Sequence, residues 1–362
     1  MAGDRRGHGD RLGPRAISHT VALAILAFAA LGASHGEVLA GSVRRLTHPA
    51  GAVDYWPRFS PDGKTLLFSR CEIPSGCGGA ATSGYWTLWT TQVTHAKATQ
   101  FLTLNDVSAT RSNRLLERSA TRDQIAFEGV DQRGASTSGL WIVNPDGSGL
   151  RQVRLPSSVG NPSYPSWFPD GASVLVTGRR AEDPGPHLTQ VAIGTGEPIL
   201  TLTDPGVIWT GMSAVSHDGT MLAVAAQLPL TGQEYDDSNN QIWIQAVGDP
   251  MTEDLGLHQL DTLQGRAPDW SPTDRFVMFE SSRACVDGHY AIFIEIASGG
   301  EAVQATDCRL DANHGVWSPD GKRFAFSYAF GDPITGRCAG GGCRGIAIAR
   351  VPAKIRRLGT PR

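Results

Sequence analysis

The chain has 362 residues, 40% apolar and only 19% charged, so it can fill a sizeable core and is not intrinsically disordered. Its 32 basic and 35 acidic residues give a formal net charge of −3, which excludes a protein built around polyanions and points away from nucleic acid. The 43 Gly, 22 Pro and 9 Trp are the composition of a turn-rich β-protein.

Arg5, Arg6, Arg11 and Arg15 precede an apolar run from Ile17 to Leu31, and the small residues Gly32, Ala33, Ser34 and Gly36 follow. A basic start, a short apolar stretch and a small-residue exit predict a secretory signal peptide over residues 1–36. The run is shorter than the ~20 residues of a spanning helix, so cleavage is expected rather than a membrane anchor. Loss of four Arg and two Asp leaves 28 basic and 33 acidic side chains, a net −5. The expected product is an exported protein, periplasmic or secreted, with no membrane span after cleavage.

Residues 37–362 are expected to form one domain, because one phrase recurs along them. It reads FSPDGKTLLFS from Phe59, WFPDGASVLVT from Trp167, VSHDGTMLAVA from Val215, WSPTDRFVMFE from Trp270 and WSPDGKRFAFS from Trp317. A decayed copy, RSATRDQIAFE, starts at Arg118. Aligned on Asp62, Thr121, Asp170, Asp218, Thr273 and Asp320, the spacings are 59, 49, 48, 55 and 47 residues. Each copy reads as the end of one strand, a tight turn and the start of an alternating strand. Pro presets φ, Asp bonds its own backbone and Gly takes positive φ. A second strand pair follows each phrase, as in LWIVNPDGSGLRQVRL from Leu140. Each repeat is thus a four-stranded antiparallel meander that cannot bury both faces alone, so the copies must stack. The predicted fold is all-β, a six-bladed β-propeller of four-stranded antiparallel blades.

The W-S-P-D-G-K phrase with its following I-x-V-x-x-x-D-G-S-G hairpin resembles the TolB-type, WD40-like propeller repeats of exported bacterial proteins. The resemblance covers roughly residues 43–358 and implies the propeller alone, since no α/β domain fits between Gly36 and Tyr55. Two segments, Val43–Thr47 and Ile355–Leu358, each read as an outer fourth strand, and the N-terminal one is expected to close the ring.

The six cysteines pair locally as Cys71 with Cys77, Cys285 with Cys308 and Cys338 with Cys343. An even count in an exported chain favours disulfides over metal binding, and the spacings lack the short pairs of zinc ribbons. The same rim carries the long insertions 71–84, 105–113, 179–186, 228–240 and 331–344, which makes the loop-rich face the expected recognition surface.

Residues shortly before each phrase should line the central channel. The candidates are Trp56, Arg58, Arg114, Glu117, Tyr164, Trp209, Arg266, Asp269 and His314, a mixed aromatic and charged lining suited to a polar ligand or a partner's peptide. The competing expectation is that the aromatics pack between blades and the charges pair, for instance Arg58 with Glu117. Phe59, Trp167, Trp270 and Trp317 share one register and are assigned to the core between blades. No catalytic residue, cofactor or metal is assigned, because no G-x-S-x-G, H-E-x-x-H or phosphate-loop motif occurs in residues 37–362 and the histidines are scattered. The oxygen-rich stretch Asp236–Asn240 lacks the alternate spacing of a calcium loop. The expected function is non-enzymatic binding of a protein or peptide in the bacterial cell envelope, by a protein expected to be a monomer. The alternative is a lyase-like enzyme acting on polysaccharide within the channel.

Overall fold

Strands dominate because each phrase supplies a turn flanked by β-branched and aromatic residues. The computed structural model describes residues 43–49, 52–71, 86–95, 97–100, 107–109, 117–119, 121–131, 138–183, 185–203, 209–227, 239–249, 258–260, 264–286, 288–330 and 343–359. Contacts divide the chain into the units Met1–Gly36 and Glu37–Arg362, and the first lies outside the described residues.

The chain begins with β1 (Arg44–Arg45), followed by a first series β2 (Val53–Phe59), β3 (Thr65–Cys71), β4 (Trp86–Gln92) and β5 (Ala98–Gln100). The second series is β6 (Val107–Ala109), β7 (Glu117–Arg118), β8 (Ile125–Asp131), β9 (Ser138–Val143) and β10 (Arg151–Val153). The third is β11 (Ser163–Trp167), β12 (Ser173–Gly178), β13 (His187–Ala192) and β14 (Pro198–Thr201). The fourth is β15 (Trp209–Val215), β16 (Met221–Gln227), β17 (Gln241–Ala246) and β18 (His258–Gln259). The fifth is β19 (Arg266–Trp270), β20 (Phe276–Ser281), β21 (Ala291–Ile296) and β22 (Val303–Gln304). The last is β23 (Asn313–Trp317), β24 (Arg323–Phe330) and β25 (Cys343–Arg350), followed by a short helix α1 (Ala353–Gly359). The third, fourth and fifth series are separate four-stranded antiparallel sheets. The remaining strands join in one sheet, because β6 bridges β4 to β8 and β2 touches β25 in parallel at Val53 and Arg344.

Each described phrase makes the expected turn. The Ser60, Ser216 and Ser318 hydroxyls donate to Asp62, Asp218 and Asp320, which also accept from the Lys64, Thr220 and Lys322 N–H groups; these bonds hold the carboxyls below their usual range, at Asp320 against the opposing effect of burial. Consecutive turns also touch. Gly219 takes φ +74° against the Pro169 ring, and a Cβ there would lie 2.8 Å from Pro169 Cγ. Gly63 stands likewise against Pro319, so the last turn abuts the first.

Side chains of a strand point alternately to its two faces, so a strand can feed two cores. On β8, Ile125 and Phe127 pack with Val53, Leu67 and Trp86 of the first series, while Ala126 faces Trp167, Val174 and Val191 of the third. The third series meets the fourth through Leu175, Leu188, Leu222 and Val224. The fourth meets the fifth through Met212, Ile242, Trp270 and Phe293. The fifth meets the last through Met278, Ile292, Trp317 and Phe324. Val316, Ala325 and Ile346 of the last series then pack with Phe59, Leu66 and Phe68 of the first. Phe59, Trp167, Trp270 and Trp317 therefore occupy the cores expected for them, and a fully buried side chain of this size contributes roughly 1.5–3 kcal/mol.

The N-terminal segment supplies the outer strand of the last series. Arg44 and Arg45 pair with Ile348 and Ala347. Beyond that short ladder, Thr47 is the anchor: its Oγ1 accepts from Ile346 N (2.8 Å) and donates to Asp54 (2.6 Å), and its carbonyl accepts from the Tyr328 hydroxyl (3.0 Å). Ile355–Leu358, the other strand-like segment, belongs to α1 instead. Pro352 fits the start of a helix, and the Ala-Lys-Ile-Arg-Arg-Leu that follows favours one.

Candidate functional site

The innermost strands share one irregularity. The ladder slips between Tyr55 and Arg58 in β2, Ser163 and Ser166 in β11, Thr210 and Ser213 in β15, Arg266 and Asp269 in β19, and Asn313 and Val316 in β23. At the slip, Trp56, Tyr164, Ala267 and His314 take the left-handed conformation, with φ of 60°, 51°, 50° and 55°. Three of the four are followed by Pro57, Pro165 and Pro268, which have no N–H for a ladder and so favour the extra unpaired residue. A left-handed residue other than Gly costs on the order of 1 kcal/mol or more, and such strain concentrates at functional positions.

These bulges converge. Trp56, Tyr164, Met212, Ala267 and His314, from five different series, line one cavity with Arg58 and Ser213. A second cavity is bounded by Arg58, Ser166, Trp167, Ser213, Asp269 and Trp270, and a third by Arg58, Pro61, Asp269, Pro272, Trp317 and Pro319. Arg58 lines all three cavities, which pass from the bulges to the Pro-containing turns.

Electrostatics fix the wall behind the bulges. Glu280 on β20 is fully buried; its Oε1 takes the Arg266 Nε at 2.5 Å, and its Oε2 accepts the His314 backbone N–H at 2.5 Å. The His314 Nδ1 lies 3.2 Å from the same Oε2. Burial alone would raise this carboxyl, but His314 and Arg266 outweigh it and bring it down to about 2. The His314 ring stacks on Trp56 with centroids 3.3 Å apart, and the Arg266 guanidinium lies 4.0 Å over the Tyr290 ring. Beside them Arg344 pairs with Asp311 and lies over Tyr55.

Of the residues expected at the channel, Trp56, Arg58, Tyr164, Asp269 and His314 line these cavities. Asp269 is also a fastener, accepting the Trp317 backbone N–H at 2.8 Å. Arg266 shares the register, yet its guanidinium is held by Glu280 and Tyr290, and it is not among the lining residues of the three cavities. Glu117 and Trp209 begin β7 and β15, their side chains lying outside the described residues, as does all of Arg114. Cys285 and Cys308 form the expected disulfide, and Cys71 and Cys343 are disulfide-bonded; Cys77 and Cys338 fall outside the described residues. So do most of the long insertions and Asp236 to Ser238. In the described part of 179–186, Asp183 binds Arg180 at 2.6 Å and lies 3.3 Å from the His187 Nδ1; the bond to Arg180 draws its carboxyl down to about 2. Glu280 and Met212 were missed by sequence reasoning. Aromatic-Pro or Ala-Pro just before the phrase, as in Trp56-Pro57, is the signal that marks the bulges.

No family model matches the chain, and no curated protein matches it. Solved structures do. A protein of Agrobacterium tumefaciens provisionally assigned as TolB matches with a TM-score of 0.51 and 18% identity, over 83% of this chain and 91% of its own. TolB from Acinetobacter baumannii matches with a TM-score of 0.53 and 15% identity, over 84% of this chain and 65% of its own, so this chain spans just under two thirds of it. The fold is a TolB-like β-propeller. An oligogalacturonate lyase in complex with manganese matches as well, with a TM-score of 0.50 and 15% identity over 89% of this chain and 96% of its own. At these identities the likeness concerns the propeller scaffold alone. Among the described residues, no helix is long and apolar enough to cross a membrane, and no three His, Cys, Asp or Glu gather as a metal-ligand set.

Proposed function

We propose that the chain is an exported, non-enzymatic propeller of six blades, closed by its N-terminal strand, that binds a protein or peptide of the bacterial cell envelope in its central channel. The ring reading rests on the cores that couple each series to the next and return from Val316 to Phe59. Export rests on the basic and apolar leader and agrees with the Cys285–Cys308 disulfide. The observation that carries the binding reading is the left-handed bulge repeated at Trp56, Tyr164, Ala267 and His314, which spends backbone strain to turn these residues into one cavity.

The test is capture of a partner from envelope extracts by the mature protein and by Tyr164→Ala. Ala267 holds the same left-handed conformation, so alanine is tolerated there and the fold should persist. Recovery of a partner by the parent and its loss in the variant supports the reading; equal recovery removes the channel as the binding site. The TolB-like and lyase-like structures share this scaffold, so an absorbance assay on uronate polymers separates the enzymatic alternative. Product formation would overturn the non-enzymatic assignment.

A further inference from the structure

The phrase departs from its pattern at two adjacent turns, and the departures fit each other. In the fourth series His217 stands where the other clear copies have Pro, and in the fifth Asp274 stands where they have Gly. At other joints the ring of Pro169 or Pro319 meets a Gly of the following turn, as it does at Gly219 and Gly63. At this joint Asp274, left-handed at φ 54°, accepts three bonds from the fourth-series turn. They come from the backbone N–H groups of His217 (2.8 Å) and Asp218 (2.9 Å) and from the His217 Nδ1 (2.9 Å). A proline at 217 would have no N–H to give.

What the exchange adds is an imidazole at the channel mouth. The His217 side chain is 50% exposed, and with Nδ1–H directed at a carboxylate, Nε2 is its remaining polar atom. His217 and Arg58 line the same two turn-side cavities. Among the acidic groups there, Asp269 accepts from Trp317 N, Asp274 holds His217, and Asp218 bonds Ser216 and Thr220.

We propose that Arg58 and His217 form a carboxylate-recognition site at the turn-side mouth, taking an acidic residue of a peptide that enters the channel from that side. This rests on the channel-binding reading and adds the chemistry of the partner and its direction of entry. A peptide suits the mouth better than an acidic sugar. Its walls are Pro61, Pro272 and Pro319, while Trp270 and Trp317 are buried and offer no exposed ring face for a sugar to stack on. A bound carboxylate favours the protonated imidazole, so Nε2 takes a proton from solvent and donates it in a hydrogen bond, while Nδ1–H stays on Asp274. The charged groups around this imidazole are Arg58 and Asp269 in the shared cavities, Asp274 bonded to it and Asp218 next to it in the chain.

The experiment is fluorescence anisotropy with rhodamine-labelled tetraglutamate, at pH 5.5 and pH 8, on the mature protein and on His217→Gln and Arg58→Gln. Tetralysine and trigalacturonate serve as competitors, and melting curves verify folding. Tetraglutamate is expected to bind about tenfold tighter at pH 5.5 than at pH 8, because the protonated imidazole adds a donor and a charge. His217→Gln should abolish that pH dependence, and Arg58→Gln should weaken binding at both pH values. Absence of binding, equal competition by tetralysine, or a pH dependence that survives in His217→Gln would overturn the site. Stronger competition by trigalacturonate than by unlabelled tetraglutamate would overturn the peptide. A partner lost from Tyr164→Ala but retained by His217→Gln sinks this inference alone. Tetraglutamate binding without any captured partner sinks the channel reading alone.

Discussion

The Glu280 carboxylate accepts the backbone N–H of His314 at 2.5 Å while holding the Arg266 guanidinium with its other oxygen. The acceptor belongs to the fifth series and the donor to the sixth, so one buried anion fixes a left-handed bulge on its neighbour. Because the folded carboxyl sits near 2, below the ordinary value of 4.5, its stabilisation is complete above about pH 4.5 and drains away as pH falls toward 2. Linkage puts this on the order of 3 kcal/mol. Glu280→Gln should therefore unfold at lower urea than the parent at pH 7, and the gap should narrow by pH 3. A gap that stays constant with pH would show that the charge on Glu280 contributes nothing.

Much of this fold was legible in the sequence because its turns are local. Pro-Asp-Gly between apolar runs marks the strand ends, and Cys285 and Cys308 follow strands whose loops share a rim. The bulges were less legible. Trp56 precedes a proline, and that context favours extended backbone over helix without announcing a left-handed residue. Arg266 fits the channel register, and its guanidinium is held by a partner on the next strand, Glu280, a contact that sequence does not mark because cross-strand partners have no fixed spacing. Ile355–Leu358 reads like a strand only until Pro352 and the helix-favouring residues after it are weighed.

The proposed N-terminal closure predicts a sharp response at Gly345. A Cβ there would lie 2.3 Å from the Thr47 carbonyl oxygen and 3.0 Å from the Tyr328 ring, and the first contact is with backbone that cannot rotate away. Gly345→Ala should expel the segment around Thr47 and break its bonds to Ile346 and Tyr328, each worth roughly 1 kcal/mol. The expected result is a loss of about 2–3 kcal/mol, with faster tryptic cleavage after Arg44 and Arg45. Unchanged cleavage and melting would place the closure elsewhere.

The disulfide between Cys285 and Cys308 spans 23 residues and ties the β20–β21 connection to the end of the fifth series. A loop of that size restrains the unfolded chain by about 3 kcal/mol. Replacing both cysteines with serine should lower the stability of the oxidised protein by roughly that amount. Added reductant should then move the variant less than the parent, provided the other cysteine pairs respond alike. Equal sensitivity of the two would assign the redox effect to those other pairs.

The matched departure at His217 and Asp274 makes a prediction independent of any ligand. His217→Pro removes one N–H and the ring donor from Asp274, leaving its carboxylate a single bond from Asp218. Asp274→Gly removes the acceptor but relieves a strained left-handed residue. The first change should destabilise by about 1–2 kcal/mol and the second by less, because the strain relief offsets part of the lost bonding. Together they rebuild the Pro-to-Gly contact seen between Pro169 and Gly219, so the double variant should be more stable than the sum of the singles implies. The coupling should reach on the order of 1 kcal/mol in a double-mutant cycle of urea unfolding. Simple additivity would mean that the two residues differ from the pattern independently, and the imidazole at the mouth would then need another reason to be there.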